Sequence, residues 1–128
     1  MIINFDSLIP VYMQIAEAIE DDIIGGILPE GGPAYSQLII ARELNVNPAT
    51  AAKGINVLVA KGILDKQRGA SMVVAYGAAA RLIKERRENN FIELISSLIA
   101  EANKLNLTEN EVLAEVRNHY AALTTNEK

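Results

Sequence analysis

At 128 residues, with a formal net charge of −4 and half of its residues apolar, the chain has material for one compact domain and a small appendage. No apolar run approaches the roughly 18 to 20 residues of a membrane span, and the start MIINFDSLIP lacks the basic end and apolar stretch of an export signal. The absence of cysteine removes disulfides and thiolate metal sites, so a cytoplasmic protein with no cofactor and no metal is the expectation.

Pro10 to Ile24 reads as the first helix. Tyr12, Ile15, Ala16, Ile19 and Ile23 recur at three- and four-residue steps, while Gln14, Glu17, Asp21 and Asp22 face elsewhere. Asp6 or Ser7 is placed to cap it, and Gly25-Gly26 ends it. Leu28 to Pro33 (LPEGGP) is a turn-rich connector.

Ser36 is the expected N-cap of a second helix through Leu44, with Leu38, Ile39, Ala41 and Leu44 available for packing. After the turn Asn45-Val46-Asn47, Asn47 caps a third helix whose first position is Pro48, where a missing N–H costs nothing. Thr50, Ala51, Ile55, Leu58 and Val59 follow at helical spacing, and Gly62 stops the helix after Lys61. Ile63–Lys66 and Met72–Ala75 read as two strands of a hairpin turning at Arg68-Gly69-Ala70-Ser71.

From Gly77 onward the pattern is helical. Arg81 to Asn90 is strongly charged and helix-compatible, and Phe91, Leu94, Ile95, Leu98, Ile99 and Ala102 then form an apolar stripe. Asn103 to Asn106 breaks it. Thr108 with Glu111 three residues on is a capping box, opening a last helix with Val112, Leu113, Val116, Tyr120 and Leu123 as a second stripe. The expected fold is therefore mainly α with a small β-hairpin: a winged helix-turn-helix head over 1–75, then a two-helix C-terminal unit over 76–128. Two amphipathic helices have little beside them to cover their stripes. Packing against a second copy of the chain is favoured over folding back onto the first helix.

Charge is unevenly spread. Residues 1–35 carry six acids and no Lys or Arg, whereas residues 36–74 carry five bases (Arg42, Lys53, Lys61, Lys66, Arg68) against two acids. The helix-turn-helix segment is the cationic block of an acidic chain, and placement matters more than the net value.

With these features in order, the chain resembles the GntR family of bacterial transcription regulators, and in particular its short YtrA-like branch. Pro10-Val11-Tyr12-Met13-Gln14-Ile15 is similar to the family's PxYxQI start, and Gly26 to Gly31 to its GxLxPG connector. Leu44 to Thr50 (LNVNPAT), Leu58 to Leu64 (LVAKGIL) and Arg68-Gly69 resemble its recognition-helix entry, its helix end and its wing. The branch follows from length, since only about fifty residues follow Val74, and large GntR branches carry long ligand domains. Leu105 to Glu111 is similar to the joint between the branch's two dimerisation helices. Four positions depart from the pattern, one of them Ser71, which stands in place of the family's second wing glycine. Leu38 and Ala52 stand where the family carries arginine, and Gly54 stands where alanine is common, a change that weakens a helix by up to about 1 kcal/mol.

The resemblance implies a repressor that binds double-stranded operator DNA as a homodimer on an inverted repeat, often near a transporter operon. An effector, where one acts, would change the separation of the two heads. The expected DNA-binding residues are Ser36, Asn47, Pro48, Ala49, Thr50, Lys53, Arg68 and Gly69. Asn47 must cap its helix whatever else it does, and Gly69 serves a turn in any reading. The expected dimerisation residues are Phe91, Leu94, Ile95, Leu98, Val112, Val116 and Tyr120. Arg81, Lys84, Arg86 and Arg87 read as a solvated face, and the lone His119 as a surface or interface residue. The rival reading is a winged-helix interaction module that has lost DNA binding, suggested by Leu38, Ala52 and the acidic balance. An enzyme is not expected: one histidine, no cysteine and no phosphate-binding glycine loop leave no catalytic constellation.

Overall fold

The computed structural model describes residues 1–67 and 72–126, which form two compact units, Met1–Glu85 and Arg86–Lys128. In the first unit α1 (Val11–Ile24) turns Ile15, Ala16, Ile19 and Ile23 into the core, as its spacing requires. Its start corrects the sequence expectation. Neither Asp6 nor Ser7 caps it; the boundary residue is Pro10, with no side-chain cap. Gln14 instead reaches back, its Oε1 accepting from the Asn4 N–H at 2.9 Å and its Nε2 donating to the Asn4 and Ile9 carbonyls at 2.9 and 2.8 Å. The Ser7 hydroxyl is spent on the Ile9 N–H.

Helix α2 (Gln37–Leu44) starts as expected, with Ser36 Oγ accepting from the Ile39 N–H at 3.1 Å, and ends on Asn45 in the left-handed region. Its packing phase differs from the expectation. Ile40 and Ala41 are buried, whereas Leu38 is 65% and Ile39 47% exposed. Four apolar residues in a row do not define a helix face, and contact with the neighbouring helix chooses it. Helix α3 (Pro48–Ala60) opens on Asn47, whose Oδ1 accepts from the Ala49 N–H at 2.8 Å, with Pro48 at the first position. It closes through Lys61 and the left-handed Gly62.

Strands β1 (Leu64–Asp65) and β2 (Val73–Val74) pair antiparallel, Leu64 opposite Val74 and Asp65 opposite Val73. The connector is more than a turn: Gly31 N–H donates to Val74 O at 2.7 Å, Ala34 N–H to Met72 O at 2.8 Å, and Pro33 bridges Val73. Helix α4 (Ala78–Glu88) adds Ala78 and Leu82 to the same core, so the head's packing continues beyond Ala75.

The second unit is built on α5 (Asn90–Lys104) and α6 (Glu109–Asn126). The charged run does not continue into the apolar stripe, because the backbone breaks at Asn89 (φ −115°, ψ −80°). Leu107 N–H closes on Ala102 O at 2.9 Å, and Asn106 takes a left-handed φ of 57°. The capping box forms in both directions: Glu111 N–H donates to Thr108 Oγ1 at 3.2 Å, and Thr108 N–H to Glu111 Oε1 at 3.0 Å. The Thr108 backbone N–H, and after it the Thr108 side chain, hold the Glu111 carboxyl below its ordinary pKa. Among the described residues no helix is long and apolar enough to cross a membrane.

Candidate nucleic-acid interface

Helix α3 is partitioned by its packing. Ala51, Gly54, Ile55 and Leu58 are buried, leaving Ala49, Ala52, Lys53 and Asn56 on one outward row at helical spacing. The burial of Gly54 has a steric cause. A Cβ there would lie 2.9 Å from Tyr12 O, 2.9 Å from Ile15 Cγ2 and 3.1 Å from Ile15 Cβ. The glycine that local propensity marks as a weakness is what lets α1 approach α3 this closely.

The outward row continues into a shallow groove of about 210 Å³ where the start of α2, the middle of α3 and the base of the hairpin meet. Ser36 and Gln37 line it from α2, Ala52 and Asn56 from α3, and Lys66 from the residue after β1. Of the expected DNA-binding residues, Asn47, Pro48, Ala49 and Lys53 are exposed and Ser36 and Thr50 half-exposed at the front of the two helices. Arg68 and Gly69 lie outside the described residues. Sequence reasoning missed Gln37 and Asn56, and counted Lys66 only as charge. Asn56 was within reach, being one step of the same face beyond Lys53 and Ala52.

Electrostatics divide the basic block. Lys53 extends over the Tyr12 ring, 4.1 Å from its centroid. Lys61, by contrast, belongs to the scaffold: its Nζ bonds Glu20 Oε2 at 2.8 Å and Glu85 Oε1 at 3.1 Å. Burial works against its charge, but the hydrogen bonds to Glu20 and Glu85 outweigh it and hold its pKa above the ordinary lysine value. Counting Lys61 among the reading head's cations therefore overstated that surface. Arg81 is likewise not a merely solvated charge, since it donates to Lys61 O at 2.7 Å and Gly62 O at 3.2 Å and closes the C-terminus of α3. Tyr35, which also lines the groove, donates its OH to Asp22 Oδ2 at 2.5 Å, and this bond, aided by burial, pushes the phenol's pKa up to about 12.

In the second unit, the expected dimerisation residues lie on α5 and α6, and all but the half-buried Val112 are exposed in the single chain. Phe91 is 56%, Leu94 67% and Tyr120 70% exposed. Leu98, Val112 and Val116 line an apolar groove of about 510 Å³ between the two helices.

No protein-family model matches the chain. Two curated proteins of Bacillus subtilis (strain 168) are similar to it. The uncharacterized HTH-type transcriptional regulator YhcF is 26% identical over 114 residues, 89% of this chain and 93% of that protein. The uncharacterized HTH-type transcriptional regulator YdeF is 31% identical over 87 residues, 66% of this chain but only 19% of that longer protein. Among solved structures, a GntR family transcriptional regulator from Listeria monocytogenes superposes with a TM-score of 0.72 at 26% identity, covering 89% of this chain and 98% of that one. The chain has the fold of a GntR-family winged-helix transcriptional regulator. Streptococcus agalactiae BusR, solved in complex with its busA-promotor DNA, is 26% identical with a TM-score of 0.52, over 88% of this chain and 57% of BusR. These relatives are described as regulators of transcription.

Proposed function

We propose that the protein is a sequence-specific, cytoplasmic DNA-binding repressor of the YtrA-like type, acting as a homodimer on an inverted repeat. The observation that carries this reading is the outward row Ala49, Ala52, Lys53 and Asn56 on α3, continuous with the groove that Ser36 and Lys66 line. Small side chains there let the helix enter a major groove closely, Asn56 has the donor–acceptor pair that suits adenine, and Lys53, Lys66 and the Ser36 helix start suit phosphates. Arg68 and Gly69 would extend the contact from the wing. BusR, held with promoter DNA, supports duplex DNA as the partner.

Dimerisation draws on the apolar face of α5 and α6, formed by exposed Phe91, Leu94, Ile95, Leu98, Val116 and Tyr120 with half-buried Val112. Two-fold symmetry of the protein then requires two-fold symmetry of the operator. Occupying successive major grooves would exclude polymerase, and an effector would act by altering the separation of the heads.

Selection of duplexes from a randomised pool, followed by light scattering of free and bound protein, tests the proposal. An enriched palindrome bound by two chains is the expected result. A second reading, an interaction module without DNA binding, draws on Leu38, which stands where the family carries an arginine, and on Ile39, both exposed on α2. Failure to enrich any duplex at low salt would favour it.

A further inference from the structure

We propose that Tyr12 is a positioning residue for DNA binding: its ring holds the Lys53 ammonium, still charged, toward a backbone phosphate of the duplex. The inference rests on the reading of α3 as the DNA-facing helix. It starts from Gly54, the residue after Lys53. Because Gly54 carries no Cβ, the Tyr12 carbonyl and the Ile15 side chain come up against the α3 backbone at this point. That approach sets the first turn of α1 beside Lys53 and brings the half-buried Tyr12 ring under its ammonium, 4.1 Å from the centroid.

A lysine on an exposed helix face samples many rotamers, and ordering it on binding opposes affinity. The ring narrows that search beforehand. It also does so without neutralising the charge, since a quadrupole offers no proton acceptor comparable to a carboxylate. Lys61 is the internal contrast. Its ammonium lies between Glu20 and Glu85, and its charge is satisfied within the head. A carboxylate partner would hold Lys53 in the same way and leave less of its charge for a phosphate. An aromatic seat retains Lys53 while leaving its remaining N–H donors for an anionic oxygen.

The test uses the full chain and a fluorescein-labelled duplex that the wild-type protein has selected from a randomised pool, read by anisotropy across a salt series. Tyr12→Phe keeps the ring and is expected to bind within about two-fold of wild type, whereas Tyr12→Leu weakens a dimer with two such pairs roughly ten-fold. Lys53→Met also weakens binding and flattens the salt slope, and adding Tyr12→Leu to it costs nothing more. Without DNA, the Lys53 Hε protons should resonate upfield from the ring current in wild type and Tyr12→Phe, and return to ordinary positions in Tyr12→Leu. Tyr12→Met, a longer and more flexible ringless change, takes the place of the leucine variant if that one unfolds.

Equal affinity of the folded ringless variant and wild type would overturn the inference. So would a full loss in Tyr12→Phe, an additive loss in the double variant, or unshifted Lys53 protons in wild type. A wild-type protein that selects no duplex removes the DNA-binding reading itself at the first step, and this inference with it.

Discussion

Gly54→Ala separates local from tertiary reasoning about this chain. On helix propensity alone, the change stabilises α3 by up to about 1 kcal/mol, because alanine loses less backbone entropy. Packing gives the opposite sign. The new methyl carbon would meet Tyr12 O and Ile15 Cγ2 at 2.9 Å, several tenths of an ångström inside the roughly 3.5 Å of an unstrained carbon contact. The carbonyl belongs to the α1 backbone and cannot rotate away, so α1 must shift relative to α3. Overpacking of this kind costs about 1–3 kcal/mol, and the net expectation is destabilisation by about 1 kcal/mol, or roughly 4 °C in Tm for a unit of this size. The chain has no tryptophan, so urea unfolding is best followed by far-UV circular dichroism, with a lower midpoint at unchanged slope as the expected signature. A Gly54→Ala protein more stable than wild type would refute the packing argument. It would leave glycine at this position without a structural reason.

Three further outcomes follow from the hydrogen-bond and charge arrangement. Tyr35 is raised from an ordinary 10.0 to about 12 by its bond to Asp22 and by burial, so the stabilisation is complete below pH 10 and is lost as pH climbs toward 12. Tyr35→Phe should cost about 1 kcal/mol at neutral pH, scaled down for partial exposure, and the gap to wild type should close across that alkaline window in paired unfolding curves. Lys61→Met, which removes the cation between Glu20 and Glu85, should lower stability by about 1–2 kcal/mol while leaving the salt slope of DNA binding unchanged. Lys53→Met should do the reverse. Thr108→Ala removes the hydroxyl of the α6 capping box and should raise the Glu111 carboxyl pKa toward its ordinary value, measured by NMR pH titration.

The legible parts of the fold are the ones decided within a few residues. Ser36, Asn47-Pro48 and the Thr108–Glu111 pair each accept nearby N–H groups or need none, and each starts its helix where the chain alone says it should. Where a choice depends on a distant partner, the pattern was silent or misleading. The run Leu38-Ile39-Ile40-Ala41 offers two packing phases, and α3 selects the one that buries Ile40 and Ala41. At the start of α1 no capping side chain was needed, because Gln14 clamps the preceding loop from inside the helix. Arg81 to Asn90 has the composition of one long helix with the stripe beyond it, yet Asn89 interrupts it.

The candidate site repeats that division. Its front residues were readable because a helix-turn-helix places them by spacing, whereas the groove needed the hairpin to bring Lys66 beside Ser36 and Asn56. Charge counting failed at Lys61 for the same reason, since its two carboxylates come from 41 residues earlier and 24 residues later in the chain. Removing Lys61 from the tally leaves Arg42, Lys53 and Lys66 as the described cations of residues 36–74. On the proposed function, a reading face with so few charges would bind phosphates weakly and with a shallow dependence on salt. Affinity for a chosen operator would then, on the proposed function, depend more on fit: the close approach that Ala49 and Ala52 permit, the amide of Asn56, and an ammonium positioned by Tyr12. On that reading, an acidic chain with a small, ordered cationic face would be biased against non-specific DNA, because the long-range term is kept low while the short-range terms are retained.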